Sequence, residues 1–485
     1  MNDFSRVKLF LLFTIFVAVA GCGEKKKYSP EVSDRISRVE NNLAGWVQIR
    51  RERRWTLAER MAFYNIKGVS IAVVHDYKIE WAKSYGWADI SENRLVTEKT
   101  LFQAASISKS LNGVGVLKLV QDKKLDLNSD INNVLKSWKF PYDEKSNNKK
   151  ITIAKLLSHT AGLNIHGFPG YSKNDSIPTL QQILDGEKPA NTQAIRSIIE
   201  PGSKVEYSGG GVTISQRIVE DITNQSYDSY MQKNVLNPLG MNSSFFTQPP
   251  KENKKKLLAT GYLTNGDEVK GKYHIYPEQA AAGLWTNPVD LCKYIIETQL
   301  SFQGKSQKVL TPEMTKLRLT PVIQDAALGV FVSQRGSVKY FMHNGGNAGF
   351  SCQATACLDD GNGVVIMTNS DNGSILEEIV NSVAIVYKWK DYYQPVIKNV
   401  IKVPDTILNT YVGKYDLGEG AIATIKKGDK GLIVNAFGNM DWNIYFTSDT
   451  DFFVKEYRAE LRFVTDPSGK VSGYTIYGNL AKKIE

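Results

Sequence analysis

Residues 102–109 read Phe-Gln-Ala-Ala-Ser-Ile-Ser-Lys and lead into apolar residues at helical spacing. This pattern predicts a helix from about Ile107 to Val120, with Ser106 at its N-terminus. Positions i and i+3 of a helix share a face, so the Lys109 amine can reach the Ser106 hydroxyl. When burial lowers the pKa of such a lysine, its amine can take the hydroxyl proton. The positive end of the helix dipole would also favour a developing oxyanion.

The Ser-x-x-Lys spacing is weak evidence when it is taken alone. Residues 5–8 and residues 146–149 show the same spacing, the first in an N-terminal apolar segment and the second in a polar loop. From the residues themselves, the alternative is that Ser106 is a helix-capping serine followed by a surface lysine.

Two later segments strengthen the catalytic interpretation. Tyr207 stands just before Ser208-Gly209-Gly210-Gly211, and a glycine run lets the backbone approach a ligand closely. His343-Asn344-Gly345-Gly346 ends a predicted strand and contains the only His-x-Gly sequence of the chain. Each has a structural alternative, a packed tyrosine beside a turn and a histidine with satisfied hydrogen bonds at a strand end.

Taken together and in this order, these segments closely resemble the penicillin-recognising serine hydrolases. The resemblance is to the class C β-lactamase and D-alanyl-D-alanine carboxypeptidase-like family, with its esterase and D-aminopeptidase relatives. Three further segments match the family pattern: Leu-Leu-Ser-His-Thr-Ala-Gly-Leu at 156–163, Pro-Leu-Gly-Met at 238–241 and Ala-Gly-Leu-Trp-Thr at 282–286. The resemblance spans about residues 50–390 and implies an α+β fold, an antiparallel sheet with flanking helices and a helical subdomain.

The resemblance also implies catalytic roles. Ser106 would be the acylated nucleophile, Lys109 its proton partner, and Tyr207 a helper that shuttles the proton to the leaving group. The backbone N–H groups of Ser106 and Gly346 would form the oxyanion hole. Whether Lys109 or Tyr207 is the general base stays open.

The substrate-binding positions depart from the family pattern twice. Gly209 stands where the family often has asparagine, which removes a side-chain amide contact. His343, which with Gly345 matches the third motif, stands where β-lactamases usually have lysine. A histidine with an ordinary pKa is mostly neutral at pH 7 and should protonate toward pH 5.5, so it would hold a substrate carboxylate weakly. We therefore expect the substrates to be esters, amides or peptides, and we do not expect efficient hydrolysis of β-lactams. His159 and Trp285 lie in segments that match the family, and we interpret both as structural.

The strand and helix patterns predict how the main domain is assembled. A helical stretch over residues 46–64 precedes a hairpin over 69–82, helices dominate 101–300, and strands return over 328–368 before a helix at 374–388. This order predicts one sheet built from both ends of the domain, with a cleft between sheet and helices.

The predicted pattern of secondary structure changes after residue 395. Residues 410–485 alternate short strands with turns, and their aromatic residues could form a small core. They predict a small antiparallel β-barrel or sandwich that resembles the lipocalin-like domain often appended to such enzymes. We expect four segments: a signal peptide over 1–21, a tether over 22–45, the hydrolase domain over 46–395 and the β-domain over 401–485. The aromatic residues expected in the small core are Phe452, Phe453, Tyr457, Phe463, Tyr474 and Tyr477.

The N-terminus resembles a bacterial lipoprotein signal. Arg6 and Lys8 precede an apolar run from Leu9 to Ala20, and Gly21 is followed by Cys22. Cys22 would then be lipidated and hold the protein in the bacterial cell envelope, facing the periplasm or the exterior. A plain secretory signal with an incidental cysteine is the alternative.

The composition and the spacing of histidines and cysteines argue against two other classes of protein, nucleic-acid-binding proteins and metalloproteins. The net charge is +10, but the basic residues are scattered and lack interleaved aromatic residues, so we expect no nucleic-acid partner. The five histidines include no His-x-x-x-His pair and the four cysteines no Cys-x-x-Cys pair, so we expect no metal and no other cofactor. The three cysteines besides Cys22 make a poor disulfide framework, and we expect them to be free.

The sequence therefore predicts an envelope-tethered serine hydrolase that acts on a small-molecule or peptide substrate through an acyl-enzyme at Ser106. The alternative is a non-catalytic lipoprotein that keeps a penicillin-binding-like pocket as a ligand or peptidoglycan sensor.

Overall fold

A computed structural model describes residues 28–418, 420–429, 431–436 and 440–485. Its α-helices are α1 (Pro30–Glu40), α2 (Leu57–Phe63), α3 (Ile107–Gln121), α4 (Ile131–Val134), α5 (Ile153–Leu157), α6 (Leu180–Asp185), α7 (Gly209–Thr223), α8 (Tyr227–Met231), α9 (Asn237–Leu239), α10 (Gln279–Ala282), α11 (Pro288–Phe302), α12 (Pro312–Arg318), α13 (Ser374–Val386) and α14 (Asp405–Tyr411). None of these helices is both long enough and apolar enough to cross a membrane. The predicted signal sequence and Cys22 lie outside the described residues.

The strands fall into two large sheets and two short pairs. Those before residue 400 are β1 (Val47–Ile49), β2 (Gly68–His75), β3 (Lys78–Asp89), β4 (Arg94–Leu95), β5 (Phe102–Gln103), β6 (Trp285–Thr286), β7 (Phe331–Arg335), β8 (Val338–Asn347), β9 (Phe350–Cys357), β10 (Gly363–Thr368) and β11 (Val396–Lys398). Those after it are β12 (Gly413–Gly418), β13 (Ala421–Gly428), β14 (Gly431–Ala436), β15 (Met440–Asn443), β16 (Tyr445–Phe446), β17 (Asp451–Phe453), β18 (Leu461–Thr465), β19 (Val471–Ile476) and β20 (Asn479–Lys483).

The main sheet joins strands from both ends of the domain, as the sequence predicts. Its seven strands have the order β4-β3-β2-β10-β9-β8-β7, and every adjacent pair is antiparallel. The β-branched strand β2 pairs with β10, in the register Ile71 to Ile366. The predicted α+β class, an antiparallel sheet with helices, is confirmed.

The two faces of this sheet bury two different cores. The core on one side contains α3, α7 and α11, and the core on the other contains α1 and α13. Cys352 and Cys357 lie on β9 but belong to opposite cores, because side chains alternate along a strand. Both are free, as is the buried Cys292.

The expected tether over residues 22–45 is wrong for its second half. Residues 30–40 form α1, which begins with a Ser29 cap, buries Ile36 and Val39 and packs against α13. Tyr28 donates a hydrogen bond to the Ala82 carbonyl at 2.7 Å. Glu31, Asp34 and Arg38 lie on the exposed face of this helix, and its few buried apolar residues are enough to dock it.

The expected helical stretch over residues 46–64 is also only partly correct. Residues 57–63 form α2, with a capping box between Thr56 and Glu59. Residues 47–49 form β1 instead, which pairs in parallel with β11. That pairing joins segments about 350 residues apart in sequence, so no local pattern could indicate it.

The C-terminal residues form one nine-stranded antiparallel sheet with the order β15-β14-β13-β12-β20-β19-β18-β17-β16. Its end strands β15 and β16 are separated in the chain by Ile444 alone, so the sheet curls into a nearly closed barrel. Of the expected core aromatics, Phe452, Phe463 and Tyr474 lie in the barrel core. Tyr457 and Tyr477 are instead exposed.

Candidate active site

The turn before α3 presents Ser106 to the cleft. Ala105 has φ +45°, a left-handed conformation that costs energy for a residue with a side chain. Ser106 follows at the helix N-terminus, and its side chain makes no capping hydrogen bond. The structural alternative, a capping serine, is therefore absent from this geometry, and the Ser106 hydroxyl is free to face Lys109.

Lys109 lies one turn further along α3 and is buried. Its Nζ donates to Ser106 Oγ at 2.9 Å and to the Ala281 carbonyl at 2.8 Å. Burial without a nearby carboxylate lowers the pKa of Lys109 to about 7, because a charged amine loses its hydration there. A large fraction of this lysine is therefore a neutral amine at neutral pH.

Tyr207 stands on the other side of Ser106, just before α7. Ser208 caps that helix through Gly211 N, which fixes the backbone next to Tyr207. The phenol ring lies 4.3 Å from the ring of His159 and 4.7 Å from that of His166, and Lys109 Nζ is 5.1 Å from its centre. Burial raises the pKa of Tyr207 to about 12, although its hydrogen bond with Ser106 lowers it.

His159 holds the tyrosine segment in place. Its Nδ1 accepts a hydrogen bond from Ser208 N at 3.2 Å, and its ring packs on Tyr207. Burial, followed by the charge of Lys109, lowers the pKa of His159 well below its ordinary value, so the ring is neutral. Trp285 is fully buried and makes edge contacts with Tyr273 and Phe350.

Strand β8 carries the third motif beside Ser106. A Cβ on Gly345 would lie 2.4 Å from the Ala104 carbonyl oxygen and 2.7 Å from Cys352 Sγ, so only glycine fits there. A Cβ on Gly346 would meet nothing within 4 Å, and Gly346 lines the cleft together with Ser106. The close approach at Gly345 brings the strand against the turn that holds Ser106.

The structure corrects one expectation for His343. The side chain is 4% exposed, and burial, followed by the charge of Lys109, lowers its pKa to about 3. The expected protonation toward pH 5.5 is therefore wrong, because a buried imidazolium beside Lys109 is strongly disfavoured. His343 therefore stays neutral from pH 5.5 to pH 8.

These residues meet in one cleft of about 690 Å³. Ser106, Tyr207, His343, Gly345 and Gly346 line it. Lys109 lies beneath Ser106, and Gly209 is buried at the start of α7, where an added Cβ would approach the His166 carbonyl at 3.1 Å. The structure thus brings together the residues that the sequence singled out, with Gly209 just behind the cleft wall.

Sequence reasoning missed several residues of the cleft region. His166, Phe331, Asp371 and Glu377 line the cleft, yet none belongs to a motif. Glu278, just before α10, does not line the cleft but is fully buried. Burial raises its pKa to about 8, although a hydrogen bond with its own backbone lowers it. No signal in the sequence distinguishes these carboxylates from surface residues.

Comparison with known proteins identifies the family. A family model described as Beta-lactamase matches residues 54–380, and one described as a domain of unknown function (DUF3471) matches residues 398–484. The chain therefore belongs to the beta-lactamase family of penicillin-binding-protein-like serine hydrolases.

Individual relatives are distant. Protein flp of Staphylococcus aureus (strain N315) is 26% identical over 335 residues, which cover 67% of this chain and 64% of that protein. The octameric penicillin-binding protein homologue from Pyrococcus abyssi superimposes with a TM-score of 0.61 at 19% identity, over 84% of this chain and 95% of that one. The D-amino acid amidase from Ochrobactrum anthropi SV3, in complex with L-phenylalanine amide, gives 0.57 at 21% identity, over 73% and 99%. At these identities the two structural likenesses establish the fold alone.

Proposed function

We propose that this protein is a hydrolase that forms an acyl-enzyme at Ser106 and acts on an ester, amide or peptide. The observation that carries the proposal is the position of Lys109, an amine 2.9 Å from Ser106 Oγ and buried without a carboxylate partner. A surface lysine after a capping serine would keep its charge, whereas this amine can accept a proton near pH 7.

The proton steps follow from the two shifted pKa values. Lys109, with its pKa lowered to about 7, accepts the Ser106 hydroxyl proton as Oγ attacks the substrate carbonyl carbon. Tyr207, with its pKa raised to about 12, stays a phenol and can relay that proton to the leaving group as the scissile bond breaks. Water then attacks the acyl-enzyme, and its proton returns to Ser106 by the same groups. This proposal assigns the base to Lys109.

The oxyanion of each tetrahedral intermediate would be bound by the backbone N–H groups of Ser106 and Gly346. Support comes from the placement of both residues at the cleft, where the absence of a side chain at Gly345 lets the strand lie against the serine turn. Fixed backbone donors of this kind stabilise charge that develops in the transition state.

The substrate preference that we propose excludes efficient β-lactam hydrolysis. A neutral His343 gives a substrate carboxylate no cation to bind, and Gly209 supplies no side-chain amide. The D-amino acid amidase of similar fold makes amides of amino acids suitable first candidates alongside simple esters.

The test uses the detergent-solubilised full-length chain, a fluorophosphonate probe and labelled penicillin. We expect the probe to label wild type at Ser106, no labelling of Ser106→Ala, and little labelling by penicillin. Labelling of another residue, or none in a folded wild type, would contradict the proposal and favour the alternative of a non-catalytic sensor.

We also propose that Cys22 is lipidated and tethers the protein in the bacterial cell envelope. Support comes from the sequence, where Arg6 and Lys8 precede a short apolar run that ends in Ala20-Gly21-Cys22. Wild type should incorporate labelled fatty acid and sediment with membranes, whereas Cys22→Ala should do neither. Equal membrane association of the two proteins would overturn the tether.

A further inference from the structure

The cleft has a second end that the proposed chemistry does not use. Ser106 and Tyr207 line one part of it, and Asp371 and Glu377 line another. Asp371 lies in the loop before α13, and Glu377 lies in the first turn of that helix. Two carboxylates therefore share a cavity with the catalytic serine.

Neutral groups make the direct contacts of these carboxylates. Thr264 Oγ1 donates to Asp371 Oδ1 at 2.8 Å, and Gln353 Nε2 donates to Glu377 Oε2 at 3.1 Å. Arg335 acts on Glu377 only through its charge, because its guanidinium donates to the Tyr392 carbonyl at 2.9 Å. Among the described residues that line the cavity, none is a lysine or an arginine.

His343 adds neither a cation nor a free N–H donor to the same cavity. Its Nδ1 lies 2.7 Å from the Asn344 carbonyl oxygen, which can only accept, so Nδ1 carries the ring proton. Nε2 therefore presents a lone pair, and it has no partner among the described residues although the side chain is buried. In this tautomer Nε2 carries no proton, so His343 cannot donate a hydrogen bond from that atom to a substrate carboxylate.

Neither carboxylate therefore accepts a hydrogen bond from a lysine or an arginine of the described residues, and only the charge of Arg335 acts on Glu377. Burial raises the pKa of Glu377, because its charge is desolvated and only partly offset by Gln353 and Arg335. A cation from the substrate would stabilise both carboxylates, whereas a substrate carboxylate would be repelled and would find no charged donor.

We propose that the cleft selects substrates that carry a protonated amine, bound by Asp371 and Glu377. This inference rests on the proposed hydrolase function and names the substrate class of that same site. The amine would sit at the end of the cavity away from Ser106, and the acyl carbon would sit at Ser106.

The test is a set of three ester substrates of equal length that end in an ammonium, a methyl or a carboxylate group. One series carries the end group on the acyl part and a second carries it on the alcohol part, and uncatalysed hydrolysis is subtracted. At pH 7.5 and low salt we expect kcat/KM for the ammonium ester to exceed that for the carboxylate ester by about tenfold or more in one series. The preference should shrink as salt is added.

Variants locate the preference. In Asp371→Asn/Glu377→Gln the ammonium-to-carboxylate ratio should fall toward one, whereas Glu187→Gln, an exposed residue outside the cavity, should keep the wild-type ratio. A wild-type ratio of one or less in both series, or an unchanged ratio in the double variant, would overturn the inference.

Two further measurements keep the test decisive. If the double variant does not fold, inhibition of neutral-ester hydrolysis in wild type is measured with hexylammonium and with hexanoate. Stronger inhibition by hexylammonium supports the amine site, and equal or weaker inhibition overturns it. Failure of wild type to hydrolyse the neutral ester or to react with a fluorophosphonate would instead count against the hydrolase function itself.

Discussion

Two buried basic side chains in this protein differ in whether a carboxylate lies beside them. Lys109 lies under Ser106, and its partners are a hydroxyl and a carbonyl. Arg60, in α2, donates to Glu378 at 2.7 Å and 2.5 Å and to Glu456 at 3.2 Å. Burial alone would lower the pKa of Arg60, but the hydrogen bonds and charge of Glu378 outweigh it and the pKa is raised.

The comparison separates a reactive charge from a structural one. A buried amine without a carboxylate gives up its proton readily, so Lys109 can act as a base. A buried guanidinium between two carboxylates keeps its proton and joins elements instead. Glu378 lies in α13 and Glu456 in the C-terminal β-domain, so Arg60 links the main domain to the barrel.

The largest expected effect is the loss of activity when Ser106 is replaced. Ser106→Ala should lower kcat/KM on a short neutral ester by at least about 10³-fold, because it removes the nucleophile. The melting temperature should change little, since Ser106 makes no capping bond. Ser146→Ala, in the other Ser-x-x-Lys sequence of the described residues, is the matched control and should retain activity. Wild-type turnover by Ser106→Ala would remove this serine from the mechanism.

Lys109→Met should lower kcat/KM by about 10²–10⁴-fold, the usual contribution of a positioned base. In the proposed mechanism the removed amine accepts the serine proton. Lys149→Met provides the matched control. If Lys109→Met retained full activity while Tyr207→Phe lost it, Tyr207 would be the base.

The pH profile of wild type tests the same contrast. Because the pKa of Lys109 is lowered to about 7, kcat/KM on a neutral ester should rise about tenfold per unit below pH 7 and level off above it. The neutral-amine form is the active one, so activity is lost as pH falls through that pKa. A profile that is flat from pH 5.5 to 8 would show that Lys109 is not the group that titrates.

Removing a partner of Arg60 should lower the stability of the protein and leave its activity unchanged. Glu378→Gln leaves Arg60 without its main counterion and should lower the free energy of unfolding by about 3–5 kcal/mol. The kcat/KM of the folded fraction should be retained, because Arg60 and Glu378 lie outside the cleft. Glu31→Gln, which breaks an exposed pair with Arg35, should cost less than about 1 kcal/mol. Denaturant unfolding measures both, and equal effects would refute the distinction.

Of the two variants that remove a partner of Arg60, the one at the barrel should have the smaller effect. Glu456→Gln weakens the longer of the two contacts of Arg60 and leaves Glu378 in place, so the loss should be about 1–3 kcal/mol. Thermal unfolding of this variant and of Glu378→Gln gives the order directly. A larger loss in Glu456→Gln would make the barrel contact, and not the α13 contact, the main partner of Arg60.

Sequence reasoning succeeded where the signal is local. The hairpin of β2 and β3, helix α3 and the strands from β7 to β10 follow from residue spacing within each segment. It failed for β1 and for α1, because β1 depends on pairing with β11 and α1 on docking against α13. The N-terminal signal and the other segment boundaries stay predictions.

The sequence alone was enough to single out Ser106, Lys109, Tyr207 and His343 as candidate site residues. Each stands in a short motif, and a short motif can be recognised from residues that are close together in the chain. Their shared cleft, the lowered pKa of Lys109 and the neutral state of His343 depend on burial by residues from distant segments. The carboxylates of Asp371 and Glu377 join the cleft in the same way, since only the packing of α13 beside the sheet brings them there. Desolvation and charge act through space, so the tertiary structure alone decides which of these groups is reactive.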